Sequence, residues 1–456
     1  MRTIVPIMRA MVLTLCTLFC LPVVSQAQSM RTVVLRGARV MDGTGGHPLD
    51  NAVIVIREGH IAACGPASVT PAPVGSKIID YRGKTIIPGL ISDHSHVGVV
   101  DGLSVGGNNY NRENVLSQLR QYEAYGVTTV LALGLNGPPF QELRQTLHEG
   151  EALGADLFGA DRGIGIPDGA PPGKLLPVES DQLYRVTSAD EARAAVREMA
   201  GRKADVIKLW LDNFAGALPT KMSPEIYTAA IDEAHRAGLR VAVHIHDLDD
   251  AKAVLDANAD IIAHGVRDRP VDAAFIEQMK ARGAWYIPTL ALDEATFVYA
   301  DDPPWTHTAF FKGGLSPALR AQLESSDWRA KTRAAPGSAA ARKSLEMNLR
   351  NLKTLYDAGV KIGFGTDSGA SPLRIPGIAE HRELALMVQS GLTPLQAITV
   401  ATSKAAELLQ LTDRGTLTPG KWADLVVLDA DPSVNIAATE KIEAVWHRGR
   451  HINAGE

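Results

Sequence analysis

Cysteine is scarce in this sequence, with three occurrences in 456 residues. Cys16 and Cys20 lie within the first 27 residues, so removal of that segment would leave Cys64 alone. A lone cysteine forms no internal disulfide, and the folded protein must then be stabilised by a large apolar core. This excludes the small disulfide-rich scaffolds that are common among exported proteins.

Runs of Lys and Arg are also missing, and the net charge is −5 at pH 7. Such a chain offers no basic surface field for nucleic acid. The hydrophobic fraction of 45% and the charged fraction of 21% are ordinary for a soluble globular enzyme. We therefore expect a small-molecule substrate and no nucleic-acid partner, and the sequence leaves a homo-oligomer open.

A long apolar run lies near the N-terminus, at residues 11–24. Arg2 and Arg9 precede it, and the small-x-small tripeptide at residues 25–27 follows it. This pattern predicts a secretory signal peptide over residues 1–27, which is too short and wrongly flanked for a stable membrane span. We expect a periplasmic or secreted protein with no membrane attachment after the signal is removed.

Short strands separated by glycine-bearing turns occupy two distant parts of the chain. The first part covers residues 28–84 and the second covers residues 411–456. The second part would most simply complete the first. We therefore predict a small β-sandwich domain formed from both chain ends.

Between these two parts, residues 85–410 alternate apolar strands with amphipathic helices. Such alternation favours a parallel sheet whose faces are covered by helices. Eight such units predict an α/β fold of the (β/α)8 TIM-barrel type, which keeps its chemistry at the C-terminal strand ends. The eight predicted strands are residues 85–91, 126–134, 156–164, 205–212, 240–246, 260–265, 284–290 and 361–367.

One connection, at about residues 291–340, is too long for an ordinary loop. Long connections in compact domains are usually functional lids or partly helical insertions. We interpret this one as a lid over the barrel mouth, with a packing insertion as the alternative. Its Trp305 and Phe310 would favour bulky apolar substrate groups, or would simply pack internally.

Two histidines one residue apart, His94 and His96, end the first predicted strand, in TIIPGLISDHSH. Side chains at positions i and i+2 of a strand point the same way. Two neutral imidazoles aimed at one point suit a divalent metal. An H-x-H pair alone is more often a coincidence than a metal site, so the interpretation depends on the other strand ends.

Two further histidines, His244 and His264, stand at or near the ends of later strands. Either one alone is more often a satisfied polar cap than a ligand. With His94 and His96 they give four imidazoles aimed at one barrel mouth. His246 lies two residues beyond His244 on the same face, and we interpret it as a substrate contact and not a ligand.

Lys208 interrupts the apolar strand VIKLWL. A buried ammonium is costly and either loses its proton or finds a partner. A neutral lysine can react with CO2 to give a carbamate, whose two oxygens can bridge two metal ions. A salt bridge to an acid inside the barrel is an equally open alternative.

Asp367 ends the last predicted strand, GFGTD. Its carboxylate can bind a metal and hold the proton of an attacking water, as general-base catalysis requires. Two divalent ions about 3.5–4 Å apart, bridged by a hydroxide, supply a nucleophile at neutral pH and polarise the attacked carbonyl.

The order of these residues resembles the amidohydrolase superfamily. Within it, the chain is similar to imidazolonepropionase-like and prolidase-like hydrolases that carry a carboxylated lysine. The similar segments are PGLISDHSH, VIKLW and the closing GLTPLQAI…AT…GTLTPGKWADLVVLDADP. One departure is Ser92, where the family often has Asp and this chain carries the acid one residue later, at Asp93.

The resemblance implies a binuclear centre with zinc as the usual occupant. His94, His96 and Asp367 would hold one metal, His244 and His264 would hold the other, and the CO2-derived carbamate on Lys208 would bridge them.

The resemblance also implies hydrolysis of amide bonds in dipeptides or N-acyl amino acids that carry a free carboxylate. Arg162 is the candidate cation for that carboxylate, since guanidinium binds carboxylate in a bidentate manner. A structural ion pair at the barrel rim is an alternative role for Arg162. The same metal site would also serve an esterase, a lactonase or a phosphotriesterase. The alternative that is not an enzyme is a non-catalytic ligand-binding protein.

Overall fold

The computed structural model describes residues 32–151, 153–214 and 216–452, so the predicted signal peptide lies outside the described ranges. The strands, in chain order, are β1 (Val33–Val40), β2 (Leu49–Arg57), β3 (His60–Pro66), β4 (Lys77–Asp80), β5 (Thr85–Pro88), β6 (Leu90–Ser95), β7 (Val100–Asp101), β8 (Ser104–Val105), β9 (Val127–Ala132), β10 (Asp156–Gly159), β11 (Ile164–Gly165), β12 (Tyr184–Arg185), β13 (Ile207–Trp210), β14 (Val241–His244), β15 (Ile261–Ala263), β16 (Trp285–Ile287), β17 (Lys361–Ile362), β18 (Leu425–Leu428), β19 (Ile442–His447) and β20 (Arg450–Ile452).

The α-helices, in chain order, are α1 (Arg112–Ala124), α2 (Phe140–His148), α3 (Ala189–Gly201), α4 (Pro224–Arg236), α5 (Leu248–Asp256), α6 (Ala273–Arg282), α7 (Leu290–Glu294), α8 (Val298–Asp301), α9 (Ala309–Gly313), α10 (Pro317–Glu324), α11 (Ser326–Ala334), α12 (Pro336–Asp357), α13 (Ile378–Gln389), α14 (Pro394–Thr399) and α15 (Ala405–Leu408). Short 3-10 segments occur at Gly107–Asn109, Pro304–His307 and Ile436–Glu440, and a π-helical segment joins α14 to α15. No helix in the described ranges is both long and apolar enough to cross a membrane.

A β-domain is formed from both ends of the chain. Its strands follow the order β20-β19-β18-β5-β1-β2-β3, and β4 pairs with β1. They belong to one mixed sheet, where we had predicted the two sheets of a sandwich. The reason is that β1 pairs in succession with β4 at residues 33–36 and with β5 at residues 39–40, which joins all the strands into one network. A separate apolar core, including Leu35, Ile54 and Trp446, fills this domain.

The predicted first strand, residues 85–91, is wrong as a single element. It divides at Gly89 into β5, which pairs with β18 in the mixed sheet, and β6, which pairs with β9 in a parallel sheet. A Cβ on Gly89 would lie 2.3 Å from Thr128 Oγ1, so glycine is required by this close approach. The backbone therefore passes from one domain to the other immediately before the histidine pair.

The parallel strands are assigned to two sheets and not to one continuous eight-stranded barrel. One sheet has the order β10-β9-β6, and the other has the order β12-β11-β13-β14-β15-β16-β17. The two sheets leave one gap between β6 and the segment after β17, and another between β10 and the segment before β13. A backbone hydrogen bond nevertheless spans each gap, from Asp93 N to Phe364 O at 2.6 Å and from Asp205 N to Gly159 O at 3.0 Å. Helices connect most consecutive strands, so the α/β class and the parallel pairing agree with the sequence prediction.

The last predicted strand, residues 361–367, is regular only at its first two residues, which form β17. Beyond them the backbone lies so close to β6 that a Cβ on Gly365 would be 2.5 Å from His94 Cβ. This close approach replaces a regular ladder, and it brings Asp367 beside the histidine pair.

The long connection at about residues 291–340 is largely helical, because it contains most of α7, all of α8–α11 and the start of α12. Its aromatic residues pack internally, as the alternative interpretation expected. Trp305 contacts Tyr299 and Phe311, with ring centroids 6.0 and 5.4 Å apart, respectively. Phe310 lies 4.7 Å from the ring of Tyr125.

Candidate metal centre

The histidine pair and Asp367 meet at the C-terminal end of β6. The Nε2 atoms of His94 and His96 lie 3.3 and 3.0 Å from Asp367 Oδ1. All three side chains are buried. The i, i+2 spacing therefore does what the sequence predicted and brings both imidazoles to one carboxylate oxygen.

The other oxygen of Asp367, Oδ2, accepts a hydrogen bond from Nη1 of Arg374. Burial alone would raise the pKa of Asp367, but Arg374 and the two imidazoles hold that pKa well below its usual range. Asp367 is therefore an anion at neutral pH, which is the form that binds a metal.

The other two predicted histidines complete the cluster. The ring centroid of His264 lies 4.4 Å from that of His94 and 4.4 Å from that of His244. His264 Nδ1 is hydrogen-bonded to Thr289 Oγ1 at 2.9 Å. His244 Nε2 lies 3.2 Å from Asp212 Oδ1. The second ring nitrogen of His264 is thus available for a metal.

Burial favours the neutral form of His94, His244 and His264. It lowers the pKa of His94 to about 3, with Lys208 as a further cause, and it lowers the pKa of His244 and of His264. Neutral imidazole is the metal-binding form of histidine. Nδ1 of His94 has no hydrogen-bond partner among the described residues, and its Nε2 faces the carboxylate of Asp367.

Lys208 lies within β13 and is fully buried, with 0% exposure. Burial lowers the pKa of its ammonium to about 7. Its Nζ has no hydrogen-bond partner among the described residues, and it lies 5.4 Å from the ring centroid of Trp210. The alternative salt bridge is not formed in the described chain, and near neutral pH a substantial fraction of this side chain is the neutral amine.

This donor set fits a divalent metal ion. One ligand atom each from His94, His264 and Asp367 lie within 4.8 Å of one another. Imidazole nitrogen and carboxylate oxygen are typical ligands of Zn²⁺ in catalytic sites. Together with the unpartnered Lys208 amine, the site has the chemistry of a metal centre.

A cavity of about 670 Å³ opens above the cluster. His96, His244, His264 and Asp367 form its base. One wall is apolar and consists of Leu135, Pro171, Pro172, Leu175, Leu176, Trp210 and Phe214. The long connection contributes Leu292, Asp293 and Thr296 to the lining of this cavity.

The two predicted substrate contacts have different surroundings. His246 lines the cavity, and its Nδ1 lies 2.7 Å from Asp247 Oδ1. Arg162 is not among the cavity-lining residues. Its Nη2 lies 3.3 Å from Glu198 Oε1, and its guanidinium stacks on Tyr184, which favours the structural ion pair that we gave as its alternative role.

Several polar residues of the site, Arg267 among them, were not singled out from the sequence. Asp212 follows β13 in the same way that His264 follows β15. Its position after an apolar strand could therefore have identified it as a site residue. Thr289, Asp293 and Arg374 gave no such signal, because they lie on connections whose contacts with the cluster are set by the tertiary fold.

A family model described as "Amidohydrolase family" matches residues 85–452. The chain is 26% identical over 430 residues to the imidazolonepropionase of Streptomyces avermitilis, which covers 89% of this chain and 87% of that protein.

Solved structures share the fold over nearly the whole chain. A candidate prolidase from Bifidobacterium longum superimposes with a TM-score of 0.73 at 25% identity, covering 93% of this chain and 95% of the other. A Xaa-Pro dipeptidase with methionine bound in its active site gives a TM-score of 0.71 at 23% identity, covering 93% and 100%.

Proposed function

The chain belongs to the amidohydrolase family, and from this premise we propose an exported, binuclear metal-dependent hydrolase that cleaves amide bonds of dipeptides or N-acyl amino acids. As a family member the protein is a metal-dependent hydrolase acting on carbon–nitrogen bonds. The observation that carries the finer proposal is the buried cluster of imidazoles, with Asp367 and the unpartnered amine of Lys208, at the base of a large cavity.

His94, His96 and Asp367 would hold one metal ion, and His244 and His264 would hold a second. A carbamate formed on the Lys208 amine would supply the anionic bridge between them. When bound, such ions polarise a carbonyl and make a water molecule nucleophilic at neutral pH. Zinc is our proposed occupant, because imidazole and carboxylate ligands suit it.

Asp367 is the proposed proton carrier. One of its oxygens faces the two imidazoles and the other is held by Arg374, so the carboxylate is fixed at the reacting centre. In the proposed reaction the oxygen of water bonds to the carbonyl carbon, and its proton passes to Asp367. The C–N bond then breaks as Asp367 returns that proton to the departing amine nitrogen.

The fold proposal is that the two parallel sheets act as one (β/α)8 barrel, which the backbone hydrogen bonds across both gaps support. The export proposal rests on the signal-peptide pattern of residues 1–27. The substrate class is supported by the likeness to a candidate prolidase and to a dipeptidase.

A second candidate function is ester or lactone hydrolysis at the same residues. The specific observation in its favour is the apolar wall of the cavity, against which a neutral ester or lactone packs more favourably than a charged group.

The test is turnover by the zinc-loaded protein lacking residues 1–27, on an N-acyl amino acid, a dipeptide, an aryl ester and a lactone. We expect cleavage of the N-acyl amino acid or dipeptide, loss of that activity on chelation, and its return with zinc. Faster turnover of the ester or lactone would support the second candidate. Absence of any C–N cleavage would contradict the proposed substrate class.

A further inference from the structure

Two arginines, Arg267 and Arg374, line the cavity above the cluster. An arginine guanidinium carries five N–H donors in a planar fork and pairs with carboxylate in a bidentate manner. A substrate carboxylate would therefore find two cations in this cavity, neither of which is Arg162.

Arg267 is already engaged. Its side chain is only 7% exposed. Nη2 donates to the backbone oxygen of Ile245 at 3.2 Å, and Nη1 donates to Asp293 Oδ1 at 3.4 Å. The guanidinium thus ties two segments of the wall together.

Arg374 is more open to the cavity, with 23% of its side chain exposed. Within the described chain its only hydrogen-bonded side-chain partner is Asp367, through Nη1. The remaining N–H groups of the fork are available to a ligand.

The backbone holds Arg374 in place. Its N–H donates to Ser371 O at 3.0 Å, and its carbonyl accepts from Gly369 N at 2.9 Å. Gly369 has a φ of +79°, and a Cβ there would lie 2.0 Å from His96 O. This tight loop fixes the arginine against the loop that carries Asp367.

From these contacts we propose that Arg374 binds the substrate carboxylate and selects α-carboxylates over more distant ones. The inference rests on the proposed function. Because the guanidinium touches the proton carrier Asp367, a carboxylate bound to it lies only a few bonds from the scissile amide. The α-carboxylate of an amino acid meets this requirement, whereas the carboxylate of a long ω-amino acid extends beyond it. The acyl group then lies against the apolar wall near Pro171 and Phe214.

The kinetic test measures benzoate release by the zinc-loaded protein from N-benzoyl-L-leucine, N-benzoyl-L-leucinamide and N-benzoyl-6-aminohexanoate. Arg374→Gln should lower kcat/KM for the α-acid by about 10- to 100-fold, as expected when a charged hydrogen bond is lost. The neutral amide should lose much less, and the aminohexanoate should be a poor substrate throughout. Arg374→Lys should recover part of the loss, and Arg162→Gln, the matched control, should resemble the wild type.

Calorimetric binding of leucine and of leucinamide to the same proteins gives a readout that does not require turnover. We expect Arg374→Gln to weaken leucine binding by about 10-fold or more while leucinamide binding and metal content stay unchanged.

If Arg374→Gln lowered kcat/KM equally for the acid and for the neutral amide, the proposal would be overturned. Arg374 would then act by positioning Asp367 and not by binding the substrate carboxylate. A selective loss in Arg162→Gln would overturn it in favour of Arg162. Wild-type protein that binds leucine and leucinamide equally would also overturn it. If leucine binding depends on Arg374 but no benzoate is released, the proposed function fails while this inference stands.

Discussion

At the scale of single residues, Lys208 has an unusual environment, because it is a lysine that is fully buried in a strand. A charged ammonium in a fully buried strand is destabilising unless it is paired. Lys208 has no hydrogen-bond partner there, and its pKa is lowered to about 7, so the neutral amine is well populated near neutral pH. A neutral amine is the form that reacts with CO2.

Replacing Lys208 with Ala should therefore remove the proposed anionic bridge. We expect the metal content to fall from two ions per chain to one or fewer, and activity to fall by at least about 100-fold, more than is usual for residues that only support a ligand. Elemental analysis by mass spectrometry measures the metal content. Lys343→Ala, at an exposed position of α12, is the control. Two metals and full activity in Lys208→Ala would rule out the carbamate.

Asp367 should matter for turnover more than for folding. Asp367→Asn preserves the shape but cannot carry the proton, so we expect kcat to fall by about 10²- to 10⁴-fold, the usual contribution of a positioned acid–base group. Circular dichroism should show an unchanged fold, and Asp327→Asn on exposed helix α11 is the matched control. Wild-type rates in Asp367→Asn would remove this residue from the mechanism.

The ligand candidates were predictable because each follows or interrupts an apolar strand, where a polar residue stands out. Thr289 and Arg374 were not predictable, because their roles come from contacts with the cluster. Thr289, for example, meets a histidine 25 residues earlier in the chain. Arg162 shows that a predicted site residue can also lie elsewhere. It was selected as a cation on a strand end, but its side chain pairs with Glu198.

At the scale of elements, the start of α7 supports the cluster. Glu383 of α13 is fully buried and accepts hydrogen bonds from Leu290 N at 2.9 Å and Ala291 N at 2.7 Å. Burial raises the pKa of this carboxyl to about 8, in spite of those two bonds. These two hydrogen bonds hold the residues that follow Thr289. Thr289 itself has a φ of +47°, and in this conformation its hydroxyl is hydrogen-bonded to His264.

Removing that hydroxyl should loosen His264. We expect Thr289→Val to weaken metal binding about 10- to 100-fold, as is typical for a hydrogen-bond partner of a ligating histidine. Valine is β-branched like threonine, so the backbone strain is matched. Thr289→Ser, which keeps the hydroxyl, should bind metal like the wild type. Competition with a chelator measures the affinity, and identical affinities for the Val and Ser variants would contradict this role.

Element boundaries were harder to predict than element types. The segment at residues 85–91 reads as one apolar strand, since no polar residue marks the division at Gly89. The division arises because the two halves pair with strands of different sheets. The periodicity of apolar residues along the chain does not indicate which strand is the partner.

At the scale of the whole molecule, buried ion pairs join the β-domain to the parallel sheets. Asp156 of β10 accepts hydrogen bonds from Arg414 and Arg448, each at 2.7 Å. His447 of β19 pairs with Glu123 of α1, with Nδ1 and Oε1 2.5 Å apart. Burial alone would lower the pKa of His447, but the hydrogen bond to Glu123 and the nearby carboxylates raise it.

This raised pKa predicts a pH dependence of stability. A histidine whose folded-state pKa exceeds its unfolded value of about 6.5 stabilises the fold fully below that pH, and the contribution is lost as pH rises through the folded-state pKa. We expect His447→Gln to lower the free energy of unfolding by about 1–3 kcal/mol at pH 6, with a smaller difference at pH 9.

Thermal unfolding between pH 6 and pH 9 measures the stability of the wild type and of His447→Gln. His47→Gln, at an exposed position, is the control. A difference between wild type and His447→Gln that stays constant with pH would contradict the raised pKa.

The class of fold followed from the alternation of strand and helix patterns, and the participation of both chain ends followed from the short strands and glycine-bearing turns found there. The single mixed sheet did not follow, because it depends on β1 pairing with β4 and β5 in turn, which is a long-range choice of partners. The gap between β6 and β17 has a similar origin, because Gly365 approaches His94 too closely for a regular ladder.

The central claim is a two-metal centre held by the residues at these strand ends. Anomalous diffraction at the zinc edge, from crystals of the zinc-loaded protein, tests it most directly. We expect two peaks about 3.5–4 Å apart, one beside His94, His96 and Asp367 and one beside His244 and His264, with density on Lys208 Nζ joining them. No peak at these residues, or a single peak beside an unmodified Lys208, would contradict the account.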